Sequence, residues 1–253
     1  MNDMFDVAGK VVMITGGSRG LGKAMSLEFA RRGANVVIAS RKLDECEKVA
    51  EEVRALGAEA LAIACHVGQW DSLEAVVDQT IEHFGKIDVL VNNAGMSPVA
   101  PSLLETSEAL FDKIIDINLK GPMRLTALVA TKMADTGGGT IINISSVASL
   151  KPSPITTAYS AAKAGLNALT AATAQEYASV GVRVNCVVCG TFDTDSAAGF
   201  VRNEETLPIV VEPIALNRVG QPEEVVGTVL YLASQASSYT TGTCITVDGG
   251  VRP

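Results

Sequence analysis

Lys10-Val-Val-Met-Ile-Thr-Gly-Gly-Ser-Arg-Gly-Leu-Gly22 joins an apolar run to closely spaced glycines, Gly16, Gly20 and Gly22 among them. Lys10 to Ile14 is a short apolar run of strand length. It passes through a glycine-rich turn, Thr15 to Gly22, into a segment that reads as helix over about 20–32. Glycines between a buried strand and a helix let backbone N–H groups close on an anionic group such as a pyrophosphate. Gly17-Ser-Arg-Gly-Leu-Gly22-Lys23 also satisfies the opening of a nucleoside-triphosphate loop, G-x-x-x-x-G-K. The next residue, Ala24, has no hydroxyl for Mg²⁺, which argues against that reading.

Outward from this turn, strand and helix patterns alternate. Asn35 to Ala39 reads as a second strand, followed by a helix near 42–56, a strand at 59–64 and a helix over about 70–84 that stops at Gly85. Ile87 to Val91 is a fourth strand, 107–134 is helical and divisible into two pieces, and 139–145 is a fifth strand. The alanine-rich segment Ala158 to Tyr177, a strand at 182–188, a helix near 222–234 and a strand around 243–247 complete the series. Such alternation predicts an α/β fold: a doubly wound parallel sheet of the Rossmann type in one domain over residues 1–253. The expected order is 3-2-1-4-5-6 with ligands at the carboxyl ends of the strands, between the first and fourth.

A net charge of −8 without any basic run argues against nucleic acid as a partner. No apolar run approaches the ~18 residues that span a bilayer, and the opening MNDMFDVAGK lacks the pattern of a signal peptide. A cytoplasmic location is the resulting expectation. Five cysteines, an odd number, speak against a disulfide framework. Cys186 and Cys189 lie three apart on a strand, facing opposite ways and roughly 10 Å apart, so buried thiols are expected. Two histidines and no Cys/His cluster at ligand spacing predict no metal site, and His83 reads as a helix-end residue.

Tyr159-Ser-Ala-Ala-Lys163 places a phenol and an ammonium one helical turn apart, with Cβ atoms roughly 5–6 Å from each other. Such an ammonium is expected to lower a phenol pKa that is ordinarily near ~10. A solvated surface pair is the alternative. Upstream, Gly139-Thr-Ile-Ile-Asn-Ile-Ser-Ser146 is a buried strand ending in two hydroxyls. Glycines at 16, 20 and 22, Asn92-Asn93-Ala94-Gly95, Asn118, Ser146, Tyr159 and Lys163, in this order and spacing, resemble the short-chain dehydrogenase/reductase family from about Ala8 to Gly250.

That resemblance implies hydride transfer between a nicotinamide and a carbonyl or alcohol carbon. Tyr159 would be the proton donor, Ser146 the partner of the substrate oxygen, Lys163 the holder of the ribose and Asn118 the anchor of a proton relay. It implies a seventh strand, a homotetramer built from the last strand and the helices before strands five and six, and a cofactor crevice. Gly16, Ser18, Arg19, Gly20 and Leu21 would form the phosphate turn. His66, Val67, Asn92, Ala94 and Gly95 would line the adenosine half, and Gly190, Phe192 and Thr194 the nicotinamide half. Where NAD enzymes carry an acid after strand two, this chain has Ser40-Arg41. A guanidinium there suits a 2′-phosphate, so NADP(H) is expected over NAD(H). His66 stands where the family has Asp facing the adenine amine, and a neutral imidazole can accept that bond. Cys189 stands where the family has Pro.

Thr191 to Gly220, with Phe200, Leu207, Ile209 and Val210, is a long irregular stretch placed to cover substrate, or alternatively to pack a neighbouring subunit. Three functional readings stay open. The first is an NADP(H)-dependent carbonyl reductase or alcohol dehydrogenase acting on a small molecule. The second is a 3-oxoacyl-thioester reductase, mildly disfavoured by the acidic composition. The third is a dinucleotide-sensing or scaffold protein without turnover.

Overall fold

The computed structural model describes residues 3–251. Its frame alternates β1 (Val11–Thr15), α1 (Gly20–Arg31), β2 (Asn35–Ser40), α2 (Leu43–Ala55), β3 (Ala60–Ala64), α3 (Leu73–Phe84) and β4 (Val89–Asn92). There follow α4 (Glu108–Ile115), α5 (Gly121–Asp135), β5 (Gly139–Ser146), α6 (Thr157–Tyr177) and β6 (Val182–Cys189). The short helices α7 (Ala198–Val201) and α8 (Leu207–Val211), then α9 (Val226–Ala233) and β7 (Cys244–Val247), close the series.

Side chains alternate across a strand, so an apolar strand feeds two cores. Val12 and Ile14 of β1 join Met25 and Phe29 of α1, Val49 of α2 and Val229 of α9 on one face. Val11 and Met13 join Leu73 of α3, Leu125 and Val129 of α5 and Ala174 of α6 on the other. The seven strands run in the order β3-β2-β1-β4-β5-β6-β7, every pairing parallel. β1 thus lies between β2 and β4, and the crevice opens where the winding reverses, as expected.

The departures from the sequence reading are local. The fourth strand begins at Val89 rather than Ile87, and the Asp88 carboxylate just before it accepts the Val11 amide at 2.7 Å. Between α4 and α5 the chain widens into one π-helical turn, Asp116–Lys120. Asn118 Nδ2 donates to the Ile114 carbonyl at 3.0 Å there, and Pro122, lacking an N–H, sits in the first turn of α5. The stretch 191–220 is less irregular than expected. It carries α7 and α8, and its two ends are tied by a bridge between Phe192 and Gly220.

Candidate active site

The glycine turn is built by close approach. A Cβ on Gly22 would lie 2.1 Å from the Gly16 carbonyl oxygen, and Gly16 and Gly20 both have left-handed backbones with φ of +66° and +51°. Only glycine fits all three positions without displacing main chain. Asn93, named in the sequence only as part of the Asn92–Gly95 motif, holds the turn in shape. Its Nδ2 donates to Thr15 O at 2.8 Å and to Gly16 O at 3.2 Å, while its amide donates to Thr15 Oγ1 at 3.0 Å. The signal was the asparagine pair itself, of which the buried member supports the sheet and the second reaches the turn. The first turn of α1 has no side-chain cap and no acidic residue. Its amides are left for an anionic ligand, so this cradle fits the pyrophosphate of a dinucleotide.

Asn92 is buried, and its Nδ2 donates to Asn143 Oδ1 at 2.9 Å and to Thr126 Oγ1 at 3.2 Å. It braces β4 against β5 and α5 beneath the crevice. Ala94 and Gly95 follow above, and a Cβ on Gly95 would meet Asn118 Oδ1 at 3.0 Å and Lys163 Nζ at 3.6 Å. Asn118 is fully buried. Its Nδ2 also donates to Met96 O at 2.9 Å and its Oδ1 accepts from Met96 N at 3.2 Å. Its side chain is therefore occupied in pinning the segment after β4 against the π-helical turn.

Ser146 ends β5, directly beside Cys189 at the end of β6. Its Oγ accepts the Ala148 amide at 3.2 Å, and its hydroxyl neighbours the Tyr159 phenol. Burial pushes the Tyr159 pKa up, and the neighbouring Ser146 hydroxyl pulls against that shift. Lys163 is not among the groups that lower it, contrary to the expectation from the one-turn spacing. The Nζ of Lys163 lies 5.8 Å from the ring centroid and donates to Ile144 O at 2.8 Å. The solvated-pair alternative fails as well, because Lys163 is only 3% exposed and burial pushes its pKa down to about 8.

At the other end of the crevice, Arg19 and Arg41 are exposed, and neither guanidinium forms an ion pair among the described residues. Ser18 and Leu21 flank Arg19 in the turn, and Ser40 ends β2. Val67 is buried. The His66 Nδ1 accepts the Gly68 amide at 3.2 Å, so the nitrogen expected to accept from an adenine amine is already engaged. Gly190 packs against Asp248, whose Cα would lie 2.6 Å from a Cβ there. The ring of Phe192 is buried against Gly220, leaving its main chain to offer a ligand. Thr194 stands over Gly20, its methyl group 3.3 Å from where a Cβ would be. Cys186 and Cys189 are free and buried, as expected. Among the described residues there is no group of acidic, His or Cys side chains suited to a metal ion, and no helix is long and apolar enough to cross a membrane.

The family model described as enoyl-(acyl carrier protein) reductase matches residues 16–252. Human dehydrogenase/reductase SDR family member 4 is 34% identical over 96% of this chain and 88% of its own length. The 3-oxoacyl-[acyl-carrier-protein] reductase FabG of Thermotoga maritima is 37% identical over 96% and 98% of the two chains. Among solved structures, a candidate NAD(P)-dependent gluconate 5-dehydrogenase from Beutenbergia cavernae with bound NADP, at low occupancy, superimposes with a TM-score of 0.93. It shares 32% identity over 98% of each chain. A 7α-hydroxysteroid dehydrogenase complexed with NADH and 7-oxo glycochenodeoxycholic acid gives 0.94 at 31% identity, over 100% and 98% of the two chains. With its parallel seven-stranded sheet, its glycine cradle and these full-length similarities, the chain belongs to the short-chain dehydrogenase/reductase family of oxidoreductases.

Proposed function

We propose that the protein is an NADP(H)-dependent oxidoreductase that interconverts a carbonyl compound and a secondary alcohol. The observation that carries this reading is the placing of the Tyr159 ring 5.8 Å from the buried Lys163 ammonium, beside Ser146 at the end of β5. Bound in the crevice, the nicotinamide supplies or takes up the hydride. The chain's own residues manage the proton and the charge. Ser146 donates a hydrogen bond to the substrate oxygen and stabilises the charge that develops on it. Tyr159 Oη passes its proton to that oxygen. With its pKa raised by burial, the tyrosine rests as the phenol at neutral pH, which is the form that reduction requires. Lys163 holds the ribose of the nicotinamide half, and Asn118 keeps Gly95 and Lys163 in register across the crevice. Thr191 to Gly220 covers the substrate, presenting the exposed apolar side chains Phe200 and Ile209.

Preference for the 2′-phosphorylated cofactor follows from Ser40, Arg41 and Arg19. A hydrogen bond to a charged group contributes about 1.5–3 kcal/mol, and a guanidinium can give a phosphate two of them. The expected preference for NADPH over NADH is roughly 10- to 10³-fold in kcat/KM, fading with salt because both arginines are exposed. Exchanging Ser40→Asp together with Arg41→Ala reverses the order, since a carboxylate binds ribose hydroxyls and repels phosphate. Equal use of both cofactors by the wild type would contradict the assignment. The similarity to the Thermotoga maritima reductase supports a second reading, a 3-oxoacyl thioester as substrate. A thioester in the substrate panel separates the two.

A further inference from the structure

His66 lies in the loop that leaves β3, and the protein itself fixes the tautomer of its ring. An amide nitrogen has only a proton to give, so the bond from Gly68 N to Nδ1 at 3.2 Å requires a lone pair on Nδ1. The neutral imidazole then carries its proton on Nε2. Nε2 has no hydrogen-bond partner among the described residues. The ring is half-buried.

The loop that carries this donor runs along the crevice. β3 is the edge strand, paired to β2 through Ser40 and Ala64. Yet Ile117 lies 3.2 Å from where a Cβ on Gly68 would be, and a Cβ on Gly121 would lie 2.2 Å from Val67 O. Residues 66–68 thus run from the sheet edge along the carboxyl ends to the elements that follow β4. They meet the π-helical turn whose Asn118 holds the segment after β4. A purine whose ribose is held at Ser40 and Arg41, at the end of β2, would reach the neighbouring end of β3 and this loop.

We propose that His66 contacts the purine of the dinucleotide as a hydrogen-bond donor through Nε2–H and gives its exocyclic amine no side-chain acceptor. The proposal rests on the dinucleotide reading. It makes His66 a specificity-determining residue: a 6-oxopurine, with an acceptor where adenine has an amine, is bound at least as well as adenine. An aspartate at this position, being acceptor-only when ionised, has the opposite preference.

The test is calorimetric titration of the whole protein with NADP⁺ and with nicotinamide hypoxanthine dinucleotide phosphate, without turnover. Wild type is expected to bind the hypoxanthine form as tightly as NADP⁺ or more tightly. His66→Ala should lower the relative affinity for the hypoxanthine form by about three- to tenfold, the worth of one hydrogen bond. His66→Asp should move it further in the same direction, to a clear preference for adenine. A wild type that prefers adenine as strongly as His66→Asp does, or the same ratio in wild type and His66→Ala, overturns the proposal. Failure of wild type to bind either dinucleotide would instead remove the dinucleotide reading beneath it.

Discussion

Lys163 donates to Ile144 O at 2.8 Å and is 3% exposed, and burial pushes its pKa from 10.5 down to about 8. Between those two values the unfolded chain binds a proton that the folded chain has released, so this site adds stability as pH rises through that window. Below about pH 8 the buried ammonium costs on the order of 3 kcal/mol, at ~1.36 kcal/mol for each tenfold loss of proton affinity. Lys163→Met is therefore expected to withstand more urea than wild type at pH 7 while losing dinucleotide affinity. The advantage should shrink as pH approaches 10. Tyr159, whose pKa burial raises, destabilises the fold at still higher pH, but it does so in both proteins and cancels from the comparison. A wild type more stable than Lys163→Met at pH 7 would show that the ammonium supports the fold. At this scale the sequence made the chemistry-bearing residues readable and left their partners hidden. Spacing put Tyr159 and Lys163 on one face. It could not show that the ammonium is taken up by a carbonyl at Ile144, nor that Gly68 engages the acceptor nitrogen of His66. Both bonds depend on how the chain folds back on itself.

At the scale of elements, the turn from β1 into α1 makes the sharpest demand. Gly22→Ala drives a methyl group to 2.1 Å from the Gly16 carbonyl, so the turn must open. Gly57→Ala, in the turn after α2, strains a backbone at φ +88° but meets nothing within 4 Å. The second change should cost about 1–2 kcal/mol and leave NADPH affinity unchanged. The first should lower NADPH affinity by 10²-fold or more as well as lowering Tm. Equal binding losses in both variants, read by fluorescence titration, would mean that the turn contributes stability alone. The strands were legible because runs such as Val11–Thr15 are buried on both faces and bounded by turn residues. The short helices of the 191–220 stretch were not. α7 has 4 residues and α8 has 5, too few to show a helical period, and proline, present at 208 and 213, disfavours a helix interior. Pro208 instead sits in the first turn of α8, where a missing N–H is harmless.

For the whole molecule, the edge of β7, unpaired among the described residues, and the outer faces of α5 and α6, with α4 beside them, are the places where one copy can meet another. Phe111 is 44% and Met123 40% exposed, and Cys244 is the exposed cysteine of the five. The proposed homotetramer covers the β7 edge, so light scattering should give four copies and a maleimide should label no cysteine in the assembled protein. A monomer would leave Cys244 open to the reagent; contact with Cys186 lowers its pKa, and one thiol per chain would react. Tyr159 is the proposed proton donor. The most direct test of this role is NADPH oxidation, followed at 340 nm, over a panel of aldehydes, ketones and diketones with wild type and Tyr159→Phe. The substitution keeps the ring and removes the transferable proton. A carbonyl substrate turned over by wild type, with kcat reduced roughly 10²-fold or more in Tyr159→Phe and NADPH affinity unchanged, is the predicted result. Comparable kcat in the two proteins would contradict it.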